Sequence, residues 1–313
     1  MVRTHWQFLT PLFLLLTAGI ITTPAQAANP EHLQQLRQTN ECRNCDLSGA
    51  DLAGMDLQRA KLSGSNLIDA RLAGADLSFS DLTGANLTLA DLHDADLESS
   101  TLDQANLLRA DLSEAKLKSA ILTRAILTHA RLQGTDLRDA NLIEAEISDA
   151  DLSNAKLQRA KLIEANLRNS NLSNANLQNS RLNQANLSLA NLSAADLSNA
   201  NLSHADLTRA VLNDATLQST NLGATTLRDA QMNDADLRSA NLRQANLRNV
   251  NLRYADLRRA NLSYADLRNA NLLEAKLQNA NLTAVELETI ILCRATLPDG
   301  SISDQSCRRR GEQ

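Results

Sequence analysis

Aromatic side chains are nearly missing from this sequence. Six of its 313 residues are Phe, Tyr or Trp, and three of the six (Trp6, Phe8 and Phe13) lie in the first 13 positions. Phe79, Tyr254 and Tyr264 are all that remain for the rest. A domain of ordinary build draws much of its buried area from rings. This core must instead be assembled from small aliphatic residues in a regular way. Proline (4) and glycine (10) are scarce too, which excludes collagen-like and proline-rich disordered chains. The balance of 43% hydrophobic and 21% charged residues is that of a folded chain.

Long apolar runs are confined to the N-terminus. Arg3, an apolar stretch from Phe8 to Ile21 and the small-residue site Ala25-Gln26-Ala27 have the layout of a signal peptide, expected to be cleaved after Ala27. The run is too short and interrupted for a membrane span, and no later stretch is a candidate for one. No twin arginine is present, which favours the general secretory route.

From Cys45 onward the chain is a single repeat. Leu47, Leu52, Leu57 and their successors stand five residues apart up to Leu297, 51 positions of which 49 are Leu; Ile147 and Met232 are the exceptions. Two residues before each stands Ala in 38 cases, and one residue before stands Asp or Asn in 32. On a helix a step of five turns the direction by about 140° and spreads the leucines over every side. On a continuous strand an odd step alternates faces. Burying a Leu is worth about 1.5–3 kcal/mol, so neither arrangement is stable. The chain has to turn once per unit and return each Leu to a common axis, which is a solenoid.

Units such as Ala50-Asp51-Leu52-Ala53-Gly54 and Ala175-Asn176-Leu177-Gln178-Asn179 resemble those of the pentapeptide-repeat family, and the resemblance runs from 45 to 297. It implies an all-β fold: a right-handed four-sided parallel β-helix with four units per coil, Leu and the small residue pointing inward. About 13 coils stacked at ~4.8 Å would give a rod roughly 60 Å long. The expected organisation is a signal peptide (1–27), an N-terminal cap (28–44), the repeat (45–297) and a C-terminal cap and tail (298–313). Asn29-Pro30-Glu31 reads as a helix start, so a short helix over about 30–39 is expected to cover the first coil. Pro298-Asp299-Gly300 breaks the repeat, and the tail after it is expected to cap the last coil.

The four cysteines form two local pairs. Cys42 and Cys45 fall where a Leu and an Ala would stand, while Cys293 and Cys307 bracket the C-terminal cap. An even count in an exported chain favours disulfides. Bridges 42–45 and 293–307 are expected, because a bridge between the ends would have to span the rod. A buried thiol pair is the other reading of Cys42 and Cys45. A zinc site there would need two more ligands, and His32 is the only candidate nearby.

The search for chemistry returns the repeat itself. The five histidines are scattered, and no unit carries a Gly-rich loop or insertion that would build a pocket. No catalytic, cofactor-binding or metal residue is assigned, and no enzyme activity is expected. Asn221, Asn241, Asn261 and Asn281, 20 residues apart, would stack as a structural ladder. Residues 72–108 hold seven acids and no Lys or Arg; residues 228–268 hold eight Arg and five Asp. Those arginines step around all sides and alternate with Asp, which argues against nucleic acid as a partner.

The expected function is that of a non-enzymatic exported scaffold that binds a protein partner or itself, in the periplasm or thylakoid lumen or outside the cell. Two rivals stand beside it. Some members of the resembled family mimic DNA and bind type II topoisomerases, but those are cytoplasmic and acidic along the rod. Stacked acids such as Asp56, Asp76 and Asp96 could also bind cations weakly. The candidate interaction surface comes from outward apolar residues. Ile68, Leu89, Leu108 and Ile126 share one side in successive coils; Ile121, Ile143 and Ile163 lie on the adjoining side. Together they would make one contiguous apolar corner.

Overall fold

The computed structural model describes residues 28–307; the signal-peptide reading of 1–27 and the last six residues lie outside them. Each unit is a tight turn. In the unit of Leu47, the Ala50 N–H donates to the Leu47 carbonyl (3.0 Å), closing a β-turn whose third residue, Gly49, has φ of 64°. That left-handed corner recurs at nearly every unit, mostly on residues other than glycine, as at Arg59, Phe79 and Asn174. Such a conformation costs on the order of 1–2 kcal/mol for an L-residue. The Leu each turn buries gains about 1.5–3 kcal/mol, so every unit offsets its own strain.

The preference for Asp or Asn before the Leu has a local cause. Its Oδ1 accepts the N–H of the residue after the Leu, as from Ser78 to Asp76 (2.9 Å) and from Arg243 to Asn241 (3.2 Å). The amides left over bond between coils: the Leu177 N–H donates to the Asp196 carbonyl (2.7 Å) and the Asn176 N–H to the Ala155 carbonyl (2.9 Å). The unit of Leu177 thus satisfies all five of its amides. At Ile121 and Ile126 that side-chain acceptor is missing.

Parallel bridges join residues 20 apart, from Glu41–Lys61 at the N-terminal end to Lys276–Thr296 at the other. One coil is therefore four units, and the rod has four faces. We number them by their leucines: face 1 holds Leu47, Leu67 and Leu87, face 2 Leu52 and Leu72, face 3 Leu57 and Leu77, and face 4 Leu62 and Leu82. Leu and Ala of successive coils fill the interior. Where Ser or Thr replaces the inward Ala, its hydroxyl in most cases reaches a main-chain carbonyl, as Thr220 does to Leu197 (2.7 Å); the buried Ser80 hydroxyl has no such partner. The Asn ladder is present on face 4: Asn221 donates to Asn201 (3.0 Å) and Asn241 to Asn221 (2.9 Å) through their side chains.

Helix α1 (Pro30–Thr39) precedes the first coil and is joined to it by the Asn29 N–H, which donates to the Asp46 carbonyl (3.1 Å). Asn29 caps it by accepting from the Glu31 and His32 amides, and Leu36 reaches into the core. Cys42 and Cys45, both buried, are bonded to each other at inward positions. His32 accepts the Asp46 amide through Nδ1 (3.0 Å), a contact between the helix and the first coil. Among the described residues no helix is long and apolar enough to cross a membrane.

The other end departs from the expected register. Leu287 should point inward but is 37% exposed, and no bridge joins Asp266 to Glu286 although Asn261–Asn281 and Asn271–Ile291 are joined on either side. The cause is at the corner. Across the 51 units the residue two after the Leu is never Val or Ile, and it is Thr once, at Thr289. β-Branched side chains are the ones that tolerate a left-handed backbone least, and Thr289 is absent from an otherwise unbroken series of positive-φ corners from Asn44 to Arg294. Beside it Ile290, buried, takes the inward place of an Ala. Beyond this unit the chain folds back at Pro298–Gly300 so that Ile302 pairs antiparallel with Thr296, and Cys307 bonds Cys293.

Candidate interaction surface

The fold sets what each position of a unit can do. Inward Leu and Ala belong to the core, the bridging position lies on a flat face, and the two turn residues form a corner. Ile68 and Leu108 stack in one corner column between faces 1 and 2 with Thr88 between them, and Leu89 stands beside Thr88. Ile143 and Ile163 occupy the opposite corner, between faces 4 and 1. Ile126 lies on the flat of face 1, stacked between Asn106 and Glu146, and Ile121 on the flat of face 4, between Thr101 and Asn141. The seven residues do not make one corner; they are spread over the two corners that flank face 1, the flat of face 1 and the flat of face 4. Leu89 (50%), Ile121 (41%) and Ile126 (40%) are well exposed, whereas Ile68, Leu108, Ile143 and Ile163 are half-buried.

A second set of exposed apolar residues has no counterpart among these seven. Phe79, Leu189, Tyr254 and Tyr264 are exposed, and all four, like Leu89, sit at the left-handed corner. That corner projects its side chain away from the rod, so apolar residues there were the signal to look for. Arginines cover three of the rings: Arg59 lies 5.8 Å from the centre of Phe79, Arg243 5.1 Å from Tyr264 and Arg253 5.4 Å from Tyr254.

The basic stretch is largely compensated by its own aspartates. Arg238 pairs with Asp236 (2.5 Å), Arg258 with Asp256 (2.6 Å), and both Arg248 (2.5 Å) and Arg268 (2.7 Å) with Asp266. The hydrogen bond from Arg238 holds the Asp236 carboxyl below the usual carboxylate range against the effect of burial. The stacked acids Asp56, Asp76 and Asp96 each accept an amide of their own turn on Oδ1. Among the described residues no group of three or more His, Cys, Asp or Glu side chains could hold a metal ion.

The model of pentapeptide repeats matches the chain in segments at 41–88 and 90–188, and that of a pentapeptide repeat region matches 199–282. HetL, a pentapeptide repeat protein involved in heterocyst differentiation regulation in the cyanobacterium Nostoc sp. strain PCC 7120, is 36% identical over 73% of this chain and 91% of its own (TM-score 0.33). The chain belongs to the pentapeptide-repeat family. The fold of that family is a right-handed quadrilateral β-helix, in keeping with the 20-residue bridge spacing. A pentapeptide repeat protein from the Arabidopsis thaliana thylakoid lumen is 27% identical over 45% of this chain and 71% of its own (TM-score 0.18). QnrB1, a plasmid-mediated fluoroquinolone resistance protein, is 21% identical over 70% of this chain and 90% of its own (TM-score 0.40). None of these superpositions is close enough to carry a functional argument. Among proteins of curated function, none matches the chain. The second family match stops at 282, just before the unit that leaves the coil.

Proposed function

We propose that this member of the family is an exported, non-enzymatic scaffold that binds a protein partner, or a second copy of itself, through face 1, its two corners and the adjoining flat of face 4. The rod is taken as about 13 coils, roughly 60 Å long at ~4.8 Å per coil, capped by α1. The observation that carries the reading is the lapse of the polar rule at Ile121 and Ile126. Bridging positions on the flats are Asp or Asn in most units because that side chain caps the turn. Ile there gives up a hydrogen bond to place apolar surface in water (41% and 40% exposed). Leu89 adds exposed apolar surface (50%) at the corner between faces 1 and 2. The signal-peptide layout of 1–27 supports export to the periplasm or thylakoid lumen. The pairing of the C-terminal arginines with their own aspartates speaks against nucleic acid. The turn-bound carboxylates of Asp56, Asp76 and Asp96 speak against cation binding.

The test is chemical crosslinking in envelope extracts, with sedimentation of the purified protein alongside. Leu89→Ser, Ile121→Ser and Ile126→Ser together should leave the circular dichroism and melting unchanged, since none points inward. The crosslinked partner or dimer of the wild type should disappear. A triple variant that retains every wild-type species would place the functional surface elsewhere.

A further inference from the structure

The unit Val285–Thr289 is spaced as a regular unit yet folded out of the coil. Leu287 stands five residues from both Leu282 and Leu292, and Glu286 occupies the bridging position. One coil earlier, the Leu247 N–H donates to the Asp266 carbonyl (2.8 Å) and the Asp266 N–H to the Ala245 carbonyl (2.9 Å). The corresponding bonds between Leu267 and Glu286, and between Glu286 and Ala265, are not made. A cavity of about 240 Å³ stands in their place, lined by Tyr264 to Arg268 with Ala284 and Glu286.

Specific contacts hold the unit outside. The Gln305 Nε2 donates to the Leu287 carbonyl (2.7 Å) and to the Ile290 carbonyl (3.2 Å). Thr289 Oγ1 accepts the Asn269 N–H (3.2 Å), which in a regular unit goes to a main-chain carbonyl of the next coil. Gln305 is two residues from Cys307, and Cys307 is bonded to Cys293 in the following unit. The disulfide thus tethers the side chain that grips the displaced backbone. Closing the unit would regain two ladder hydrogen bonds and bury Leu287; the left-handed corner at Thr289 opposes it. The Gln305 bonds to the Leu287 and Ile290 carbonyls and the Asn269 bond to Thr289 add to the open side, so a tethered tail can decide between the two arrangements.

We propose that the Cys293–Cys307 disulfide is a redox latch on the C-terminal end of the rod. Oxidised, it keeps Gln305 on the Leu287 and Ile290 carbonyls and the unit Val285–Thr289 outside the coil. A dithiol reductant supplies two electrons and two protons: the S–S bond breaks, Cys293 and Cys307 become thiols, and the dithiol closes to its own disulfide. The tail then leaves, the unit folds into the vacant position and Leu287 turns inward. Cys293 and Cys307 are half-buried, whereas Cys42 and Cys45 are enclosed, so a reductant reaches the C-terminal pair first. The switch controls one sheet edge: open, it presents the Leu267 N–H and the Ala265 carbonyl for pairing; closed, it covers them.

Residue-resolved amide hydrogen exchange on the full chain tests this. In the oxidised protein the Leu267 amide should exchange fast and the Leu247 amide slowly. Reduction with dithiothreitol, and the double variant Cys293→Ser/Cys307→Ser, should slow Leu267 at least tenfold and leave Leu247 unchanged. Gln305→Ala should do the same with the disulfide intact, and Thr289→Gly should show the closed signature even when oxidised. A Leu267 amide that stays fast in the double variant would overturn the latch. So would faster exchange across all of residues 262–297, which would make the disulfide a plain clamp, or a Leu267 amide already protected in the oxidised wild type.

Discussion

The two ends of the rod are closed in different ways. At the N-terminal end the chain obeys the repeat: Cys42 and Cys45 occupy inward positions, and Leu36 of α1 (1% exposed) joins the same core cluster. At the C-terminal end a residue that should be inward, Leu287, is 37% exposed, and the last coil is finished by an antiparallel turn and a tethered tail. The leucine spacing is the same at both ends. What differs is one corner residue and the bulk beside it, Thr289 and Ile290. Hydrophobic period decides which residues want to be inside; corner conformation decides whether the chain can put them there.

The largest expected effect lies between the ends. Leu177 is fully buried, and Leu177→Asp would place an unpaired carboxylate in the stack. Loss of the cooperative melting transition by circular dichroism is expected, and a wild-type melt would show that the Leu column is not inward. A matched pair of truncations then sharpens the comparison of ends. Leu36→Ala is expected to cost about 2–5 kcal/mol, felt locally as faster exchange at Lys61, whose amide bonds the Asn40 carbonyl (3.0 Å). Leu287→Ala, at a largely exposed site, is expected to cost about 0.5 kcal/mol or less. Equal effects would erase the distinction between the two ends.

A smaller effect concerns charge. The folded-state pKa of Asp236 is lowered, chiefly by its hydrogen bond from Arg238. Its contribution to stability is therefore full above the unfolded value near ~3.9 and is lost as pH falls through the folded value. Arg238 is partly exposed, so the contribution is expected to be below about 1 kcal/mol. Asp236→Asn keeps the Oδ1 acceptor for the turn but removes the charge. Comparing unfolding midpoints at pH 7 and pH 3 should show a smaller difference for this variant than for the wild type.

Much of this architecture could be read from sequence because every unit repeats the same instruction. The inward Leu and Ala, the turn per unit and the position of α1 follow from spacing and from Asn29-Pro30. The break at Leu287 was also written there, in the lone β-branched corner residue at Thr289. It was hidden by a Leu count that stays perfect through the broken unit. The candidate surface was legible as a set of residues but not as a shape. Ile68 and Ile143 share a turn position yet fall on opposite sides of face 1, because corner and flat can be told apart only once the bridges are known. The exposed rings at Phe79 and Tyr264 were overlooked because the corner's outward direction depends on its left-handed backbone.

The claim that corner conformation governs the coil is tested most directly by creating a second β-branched corner where the rod is regular. Asn174 has φ of 58°, and its unit supports the coil before it through the Asn154 N–H to Ser173 carbonyl (3.0 Å) and Leu152 N–H to Asn171 carbonyl (2.7 Å) bonds. A strained corner costs about 1–3 kcal/mol. Asn174→Thr is therefore expected to speed amide exchange at Asn154 and Leu152 by roughly 5- to 150-fold, with amides near the rod ends unchanged. Unaltered exchange at both positions would contradict the account, since a rod that accepts Thr at Asn174 without loosening could have accepted it at Thr289.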